Sequence, residues 1–250
     1  MQRKLFCKIL PPGDYLTRKT ALSLRQPRTI TAYGPTALLL SWEQRIDPAI
    51  SAGVHAYATA LNHHPAVLEC IPAYASLLVR YAAPRITAAT LKEFIYDLRP
   101  PDYSPEERCV HELPVRYDGP DLKSSAQQLS LSPTALIELH CGPDYQVYQL
   151  GFRPGFAFLG DTPAALNIDR RATPRTHVPA GSVGLAGRQT GVYPADSPGG
   201  WQLIGRCPVP LLRSGTDPVR LRAGDLVRFL AVGSEEFIHL QNNPPPWPER

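Results

Sequence analysis

Residues 151–206 read GFRPGFAFLGDTPAALNIDRRATPRTHVPAGSVGLAGRQTGVYPADSPGGWQLIGR, and the fold turns on this stretch. It holds ten of the chain's 18 glycines and six of its 28 prolines, which commits the backbone to turns and close approaches rather than long helices. It has no lysine, but it carries Arg153, Arg170, Arg171, Arg175, Arg188 and Arg206. Among them stand Phe152, Phe156, Phe158, Tyr193 and Trp201. Rigid loops that present aromatic faces and guanidinium groups around a pocket are the expected result.

Outward from this segment the pattern is strand-rich. Gln146–Leu150 alternates as a strand that leads into the Gly151 loop. Ser132 and Pro133 suit the N-cap and first residue of a short helix ending near His140. Val110–Tyr117 reads as a strand, and Val219–Leu221 with Leu226–Leu230 reads as a hairpin about Ala223-Gly224-Asp225. Ser234 is placed to cap a last turn carrying Phe237, and a frayed tail is expected from Asn243.

The first hundred residues alternate differently. Ala37–Ser41 is a short apolar run suited to a buried strand. Ile46, Ile50, Val54, Tyr57, Ala58 and Leu61 then form one helical stripe between Asp47 and Asn62. Val67–Ile71 and Ser76–Tyr81 read as strands, and Leu91, Phe94, Ile95 and Leu98 mark a second helix. The expected class is α+β: a small N-terminal α/β sandwich followed by a β-barrel with long loops. The expected division is a flexible basic extension over 1–33, the sandwich over 34–99, a linker over 100–109, the barrel over 110–241 and a Pro-rich tail over 242–250.

Composition narrows the function classes. A 43% hydrophobic share supports a real core. The net charge is only +4, with no lysine run and no RNP-like aromatic pattern, which does not indicate a nucleic-acid partner. The longest apolar runs are far short of a membrane span. The five cysteines are odd in number and widely spaced, with no CxxC, so reduced thiols in a cytoplasmic protein and no metal site are expected. No lysine-bearing phosphate loop occurs in 181–191. Ala180-Gly181-Ser182-Val183-Gly184 lacks the first glycine of a nucleophile elbow, which makes Ser182 a turn hydroxyl. The spacing of Gly181, Gly184 and Gly187 is not a dinucleotide fingerprint.

Taken as ordered motifs, the segment resembles the KipI family, known also as allophanate hydrolase subunit 1 or as the B component of 5-oxoprolinase. The match runs through Gly151-Phe152-Arg153-Pro154-Gly155-Phe156, Arg170-Arg171, Pro174-Arg175 and Val178-Pro179-Ala180-Gly181-Ser182-Val183-Gly184. It continues through Gln189-Thr190-Gly191-Val192-Tyr193-Pro194, Ser197-Pro198-Gly199-Gly200-Trp201 and Ile204-Gly205-Arg206, and reaches from about residue 34 to 241. Gly34-Pro35, Ala157, Phe158, Asp169 and Cys207 depart from the family's usual residues.

The resemblance implies a cyclophilin-like barrel as the second domain. It also implies the B component of an ATP-dependent 5-oxoprolinase, which opens 5-oxo-L-proline to L-glutamate and is inactive alone. The implied partners are a homologous C component (allophanate hydrolase subunit 2, KipA-like) and an A component (LamB/YcsF-like). ATP, with magnesium, is the implied cofactor, its binding place unspecified. Two other family roles stay open: inhibition of a sensor histidine kinase, and a carboxyltransferase role of the urea carboxylase or allophanate type.

Lactam opening needs positive charge around developing anions. Arg170, Arg171 and Arg175 are therefore the candidates for a carboxylate or phosphate, with surface pairing to Asp161 or Asp169 as the alternative. His140 is the candidate acid or base, with a core or capping role as the alternative. Gln189, Thr190 and Tyr193 are candidate hydrogen-bond donors, and Phe152, Phe156 and Trp201 candidate walls. Gly155, Gly181, Gly199 and Gly200 give the segment its shape, and Pro154 and Ser182 complete the expected substrate-binding set.

Overall fold

The computed structural model describes residues 8–10, 26–101, 108–215 and 218–247. The chain divides into two units, residues 12–106 and residues 107–250 joined by 1–11. Most of the expected 1–33 extension, and residues 102–107 of the expected linker, lie outside the described residues.

Strand β1 (Lys8–Leu10) belongs to the second unit, where it pairs with β6 (Arg108–Val115). The first unit contains β2 (Thr29–Ala32), β3 (Ala37–Ser41), α1 (Pro48–Asn62), β4 (Val67–Pro72), β5 (Ser76–Tyr81) and α2 (Ala88–Asp97). Its four strands form one antiparallel sheet in the order β2-β3-β5-β4. Helix α1 starts where it does because the Asp47 carboxylate accepts from the Ala49 amide at 2.8 Å and Pro48 supplies a fixed φ at the first turn. Ile50, Val54, Tyr57 and Leu61 recur on one face and share a core with Leu38, Leu40, Leu77 and Val79. Each such side chain contributes about 2 kcal/mol on burial. Strand β2 corrects the expected extension. It was hidden because Ile30 is its one buried residue, so no alternating run announces it.

The second unit is a curled eight-stranded sheet in the order β1-β6-β14-β7-β8-β11-β10-β13. Here β7 is Tyr145–Leu150, β8 Ala157–Gly160, β10 Ser182–Ala186, β11 Gln189–Val192, β13 Gln202–Arg206 and β14 Leu226–Ala231. The curl brings β13 back to the end of β6, where Arg116 and Arg206 exchange both backbone hydrogen bonds at 2.9 Å. Alternate residues of β6, β7, β10 and β14 point inward: Leu113 and Val115, Tyr145 and Val147, Val183 and Leu185, Val227 and Phe229. Two short helices, α3 (Leu122–Gln128) and α4 (Pro133–Cys141), and a separate two-stranded ribbon of β9 (Arg175–Val178) and β12 (Ser197–Gly199) complete it before α5 (Ser234–Asn242). The α+β class, with a sandwich unit and a barrel unit, is the class expected.

Three local readings are corrected. The expected hairpin does not form: β14 pairs parallel with β6 and antiparallel with β7, while Val219 bridges Leu212. Ala223-Gly224-Asp225 is still a turn, in which the Asp225 carboxylate accepts from the Arg222 amide at 2.8 Å. The tail is held as far as Trp247, whose ring lies 4.7 Å from the Arg213 guanidinium and 5.2 Å from that of Arg220. Cysteines are not all reduced: Cys109 is disulfide-bonded, whereas Cys70, Cys141 and Cys207 are free.

Candidate functional site

The site is organised by a residue outside the glycine-rich segment. Gly119 brings the chain against β13, where its amide donates to the Ile204 carbonyl at 3.1 Å and the Asp121 amide donates to the Leu203 carbonyl at 2.9 Å. An added Cβ on Gly119 would collide with the Leu203 carbonyl, so only glycine permits this approach. Asp121 then occupies the N-cap of α3 without capping it. Its Oδ2 instead accepts from the Leu203 amide at 2.7 Å. Its Oδ1 accepts from Arg175 Nη2 at 2.7 Å and Arg171 Nη1 at 3.2 Å.

Asp121 is buried, and it holds two of the three candidate arginines. The alternative pairing with Asp161 or Asp169 is corrected in its partner, since Arg171 and Arg175 pair with Asp121 and Asp161 pairs with Arg188 at 2.5 Å. Arg171 is further fixed by its amide, which donates to the Gly200 carbonyl at 2.8 Å. Arg175 Nη1 and Arg171 Nε are buried and have no protein acceptor. Arg170 is exposed and has no ion pair among the described residues.

Beside Arg175 lies a pocket of about 280 Å³ between the 118–120 loop, β9 and β13. Arg175 and Arg206 supply its cationic groups, His177, Asp118 and Ser182 further polar ones, and Pro120, Pro179 and Leu203 its apolar walls. Of the expected residues, Arg175 and Ser182 face this pocket. Gly181 forms its neighbouring turn: φ is +81°, and its amide donates to the Tyr193 carbonyl at 2.7 Å. A Cβ on Gly181 would meet the Cys207 carbonyl at 2.5 Å. Gly181→Ala is accordingly expected to cost about 2 kcal/mol or more in a urea melt. A loss below about 0.5 kcal/mol would show that the turn relaxes freely.

The aromatic residues were expected to be walls, and they pack instead against one another. Phe156 sits at the centre of edge contacts with Tyr193 at 5.2 Å, Trp201 at 5.4 Å, Phe158 at 4.9 Å and Phe152 at 5.6 Å. Phe156, Tyr193 and Trp201 are buried in this cluster, and none of them lines the pocket. Burial raises the Tyr193 phenol pKa, opposed by a hydrogen bond from the Trp201 backbone and by Arg170 and Arg175 nearby. Gly199 must be glycine because a Cβ there would run into the Tyr193 ring. Gly200 packs near Pro174, and Gly155 turns at φ +75° beneath Leu212. Pro154 is exposed, and Phe152 stands 61% exposed at φ +68°. Gln189 opens β11 with its side-chain amide nitrogen buried and unpartnered.

The expectation of His140 as acid or base is corrected by its surroundings. The ring is fully buried, stacked 4.5 Å from Phe229, and both nitrogens are engaged. Thr190 donates to the Gly184 carbonyl at 3.0 Å, so its oxygen accepts from His140 Nε2 at 2.8 Å. Nδ1 then accepts from the Tyr117 hydroxyl at 2.6 Å. Burial pushes the imidazole down to about 3, and so it stays neutral near pH 7. His140 and Thr190 pin α4 to the sheet and do not meet the pocket. His177 is exposed, lines the pocket, and lies 3.9 Å from Asp196.

The chain matches the family model of the carboxyltransferase domain, subdomains C and D, over residues 28–221. It is 38% identical over 227 residues to a Bacillus subtilis protein named as the B component of 5-oxoprolinase, covering 83% of this chain and 94% of that one. It is 41% identical over 203 residues to the Escherichia coli O157:H7 protein of the same name, covering 79% and 93% respectively. Among solved structures, TTHA0988 superposes with a TM-score of 0.70 at 40% identity over 79% of this chain. This chain spans only 40% of TTHA0988. Kluyveromyces lactis urea carboxylase superposes at 0.71 with 17% identity, over 94% of this chain and 24% of that one, a likeness of fold. Among the described residues no helix is long and apolar enough to cross a membrane.

Proposed function

The chain belongs to the carboxyltransferase-domain family, subdomains C and D, and from that premise we propose that it is the B component of an ATP-dependent 5-oxoprolinase. In this reading it opens 5-oxo-L-proline to L-glutamate together with an A component (LamB/YcsF-like) and a homologous C component (KipA-like). The observation that carries the reading is the 38% identity that extends over 94% of the Bacillus subtilis B component.

The chain's own contribution is a preorganised cationic wall. Asp121 fixes Arg171 and Arg175 before any ligand arrives, so no reorganisation is needed when negative charge develops nearby. The buried, unpartnered Nη1 of Arg175 leaves donor capacity that Asp121 does not use. ATP and its magnesium do not fit the pocket beside Arg175. Its volume of about 280 Å³ suits a small acid, and its lining offers one exposed carboxylate, already paired with Arg116. Magnesium requires oxygen ligands. Nucleotide contacts are therefore assigned to the partner components, and this chain alone is expected to be inactive.

The test is ATP-dependent conversion of 5-oxoproline to glutamate by the chain co-expressed with its A and C partners. Omitting this chain should abolish turnover. Arg175→Ala should lower kcat/KM by about a hundredfold in a complex that still assembles. An assembled, folded complex without turnover would sink this substrate.

A further inference from the structure

We propose that the pocket bounded by Arg175, Arg206 and His177 is the seat for a small carboxylate, with Arg206 as its main anchor. The 5-oxoprolinase reading enters only in naming 5-oxoproline as that carboxylate.

Charge is the first argument. Arg171 and Arg175 share the single carboxylate of Asp121, and Arg116 is matched by Asp118 at 2.6 Å. Arg206 makes no ion pair among the described residues, and its guanidinium rests 5.5 Å from the Phe237 ring centre. The cavity lining thus carries two guanidinium groups, Arg175 and Arg206, against the one carboxylate of Asp118, and of the two only Arg206 lacks an ion-pair partner among the described residues. Arg206 is exposed at the cavity rim, so it is free to close onto an incoming anion. His177 stands on the same rim as a further donor.

Position is the second. Arg206 ends β13, and its backbone is held on both sides by Arg116, which fixes where the side chain starts. Arg175 enters from β9 with one nitrogen on Asp121 and another unpartnered. A carboxylate suits guanidinium groups that line one cavity from two strands because its two oxygens accept in parallel.

The walls are the third. Pro120, Pro179 and Leu203 give the cavity an apolar lining that a bare phosphate does not use but a small saturated ring does. At about 280 Å³ the space is near the lower limit of ligand pockets, which run from about 300 Å³ upward.

Equilibrium binding to the full chain, followed by calorimetry, tests this with three probes. These are L-5-oxoproline, its neutral primary amide and inorganic phosphate. Wild-type protein should bind the acid at least tenfold more tightly than the amide, and phosphate should not displace the acid at equal concentration. Arg206→Ala should weaken the acid at least tenfold and leave the amide unchanged. Arg206→Glu should abolish acid binding, and an unchanged melting temperature in both variants would show that folding is intact.

Equal affinity for acid and amide, or an Arg206→Ala protein that binds as wild type, overturns the carboxylate seat. So does failure of the wild type to bind the acid at tens of millimolar. Displacement by phosphate at equal or lower concentration overturns it in favour of a phosphate site. The two readings fail separately. Acid binding without turnover by the complex would sink the 5-oxoprolinase function and leave the seat standing, whereas turnover indifferent to Arg206 would sink the seat alone.

Discussion

Asp121→Ala is expected to lower the unfolding free energy by about 3 kcal/mol and to remove the activity of the assembled enzyme. The carboxylate is buried and satisfies three donors at once: the Leu203 amide, Arg175 and Arg171. Removing it leaves a buried amide and a partly buried guanidinium unpaired, losses of about 1–3 kcal/mol and about 3–5 kcal/mol when each is complete. Both guanidinium side chains keep part of their exposure, 37% for Arg171 and 21% for Arg175, and can turn to water, which discounts the second loss and leaves a total of about 3 kcal/mol. Asp121→Asn separates the two roles. Its carbonyl can still accept from the Leu203 amide, so most of the stability should return, but it cannot hold two guanidinium groups by charge. Urea melts of both variants, with turnover in the complex, check this. An alanine variant within about 1 kcal/mol of wild type, or an asparagine variant with full activity, would mean that Asp121 does not organise the site.

That the organiser is Asp121 explains what the sequence could and could not disclose. The candidate arginines were legible by type, because a lysine-free, arginine-rich segment between glycines states its preference for planar donors. Their partner was not legible. Asp121 stands 50 residues before Arg171 and directly before a short helix, where an aspartate ordinarily reads as an N-cap. Only its missing cap bond and its bond to β13 reveal the other role. The aromatic residues were misplaced for a related reason. Gly199 removes the Cβ that would obstruct the Tyr193 ring, so residues read as ligand walls close on themselves as core.

The fold follows the same division between local and distant causes. Helix α1 was legible because Asp47, Pro48 and the apolar stripe agree with one another. Helix α3, LKSSAQQ, was missed because Ser125 takes one of its three buried positions and breaks the apolar pattern. The false hairpin came from two apolar runs around a real turn. The true partner of β14 is β6, more than a hundred residues upstream, and parallel pairing leaves no local mark.

His140 gives the second large effect, and its direction follows from burial. The unfolded imidazole titrates at 6.5, whereas burial holds the folded one down to about 3. Between these values the unfolded chain binds a proton that the folded chain refuses. Stability from this residue is therefore complete above pH 6.5 and falls as the pH drops, by about 1 kcal/mol per unit until about pH 3. The ring's neighbours are Tyr117, Tyr145, Phe229 and Thr190, none of which carries a negative charge to offset protonation. His140→Gln should lose stability at pH 7.5 through the broken Tyr117–His140–Thr190 chain, yet show a flatter decline toward pH 4.5 than wild type. Thr190→Val separates packing from titration. It should lose about 1–3 kcal/mol at pH 7.5, because Nε2 is left buried without its acceptor, while keeping the wild-type slope in acid. Urea melts at pH 7.5, 6.0 and 4.5 decide the matter. If wild type and His140→Gln decline in parallel, the acid sensitivity arises elsewhere, and His140 contributes packing and hydrogen bonds but no proton linkage.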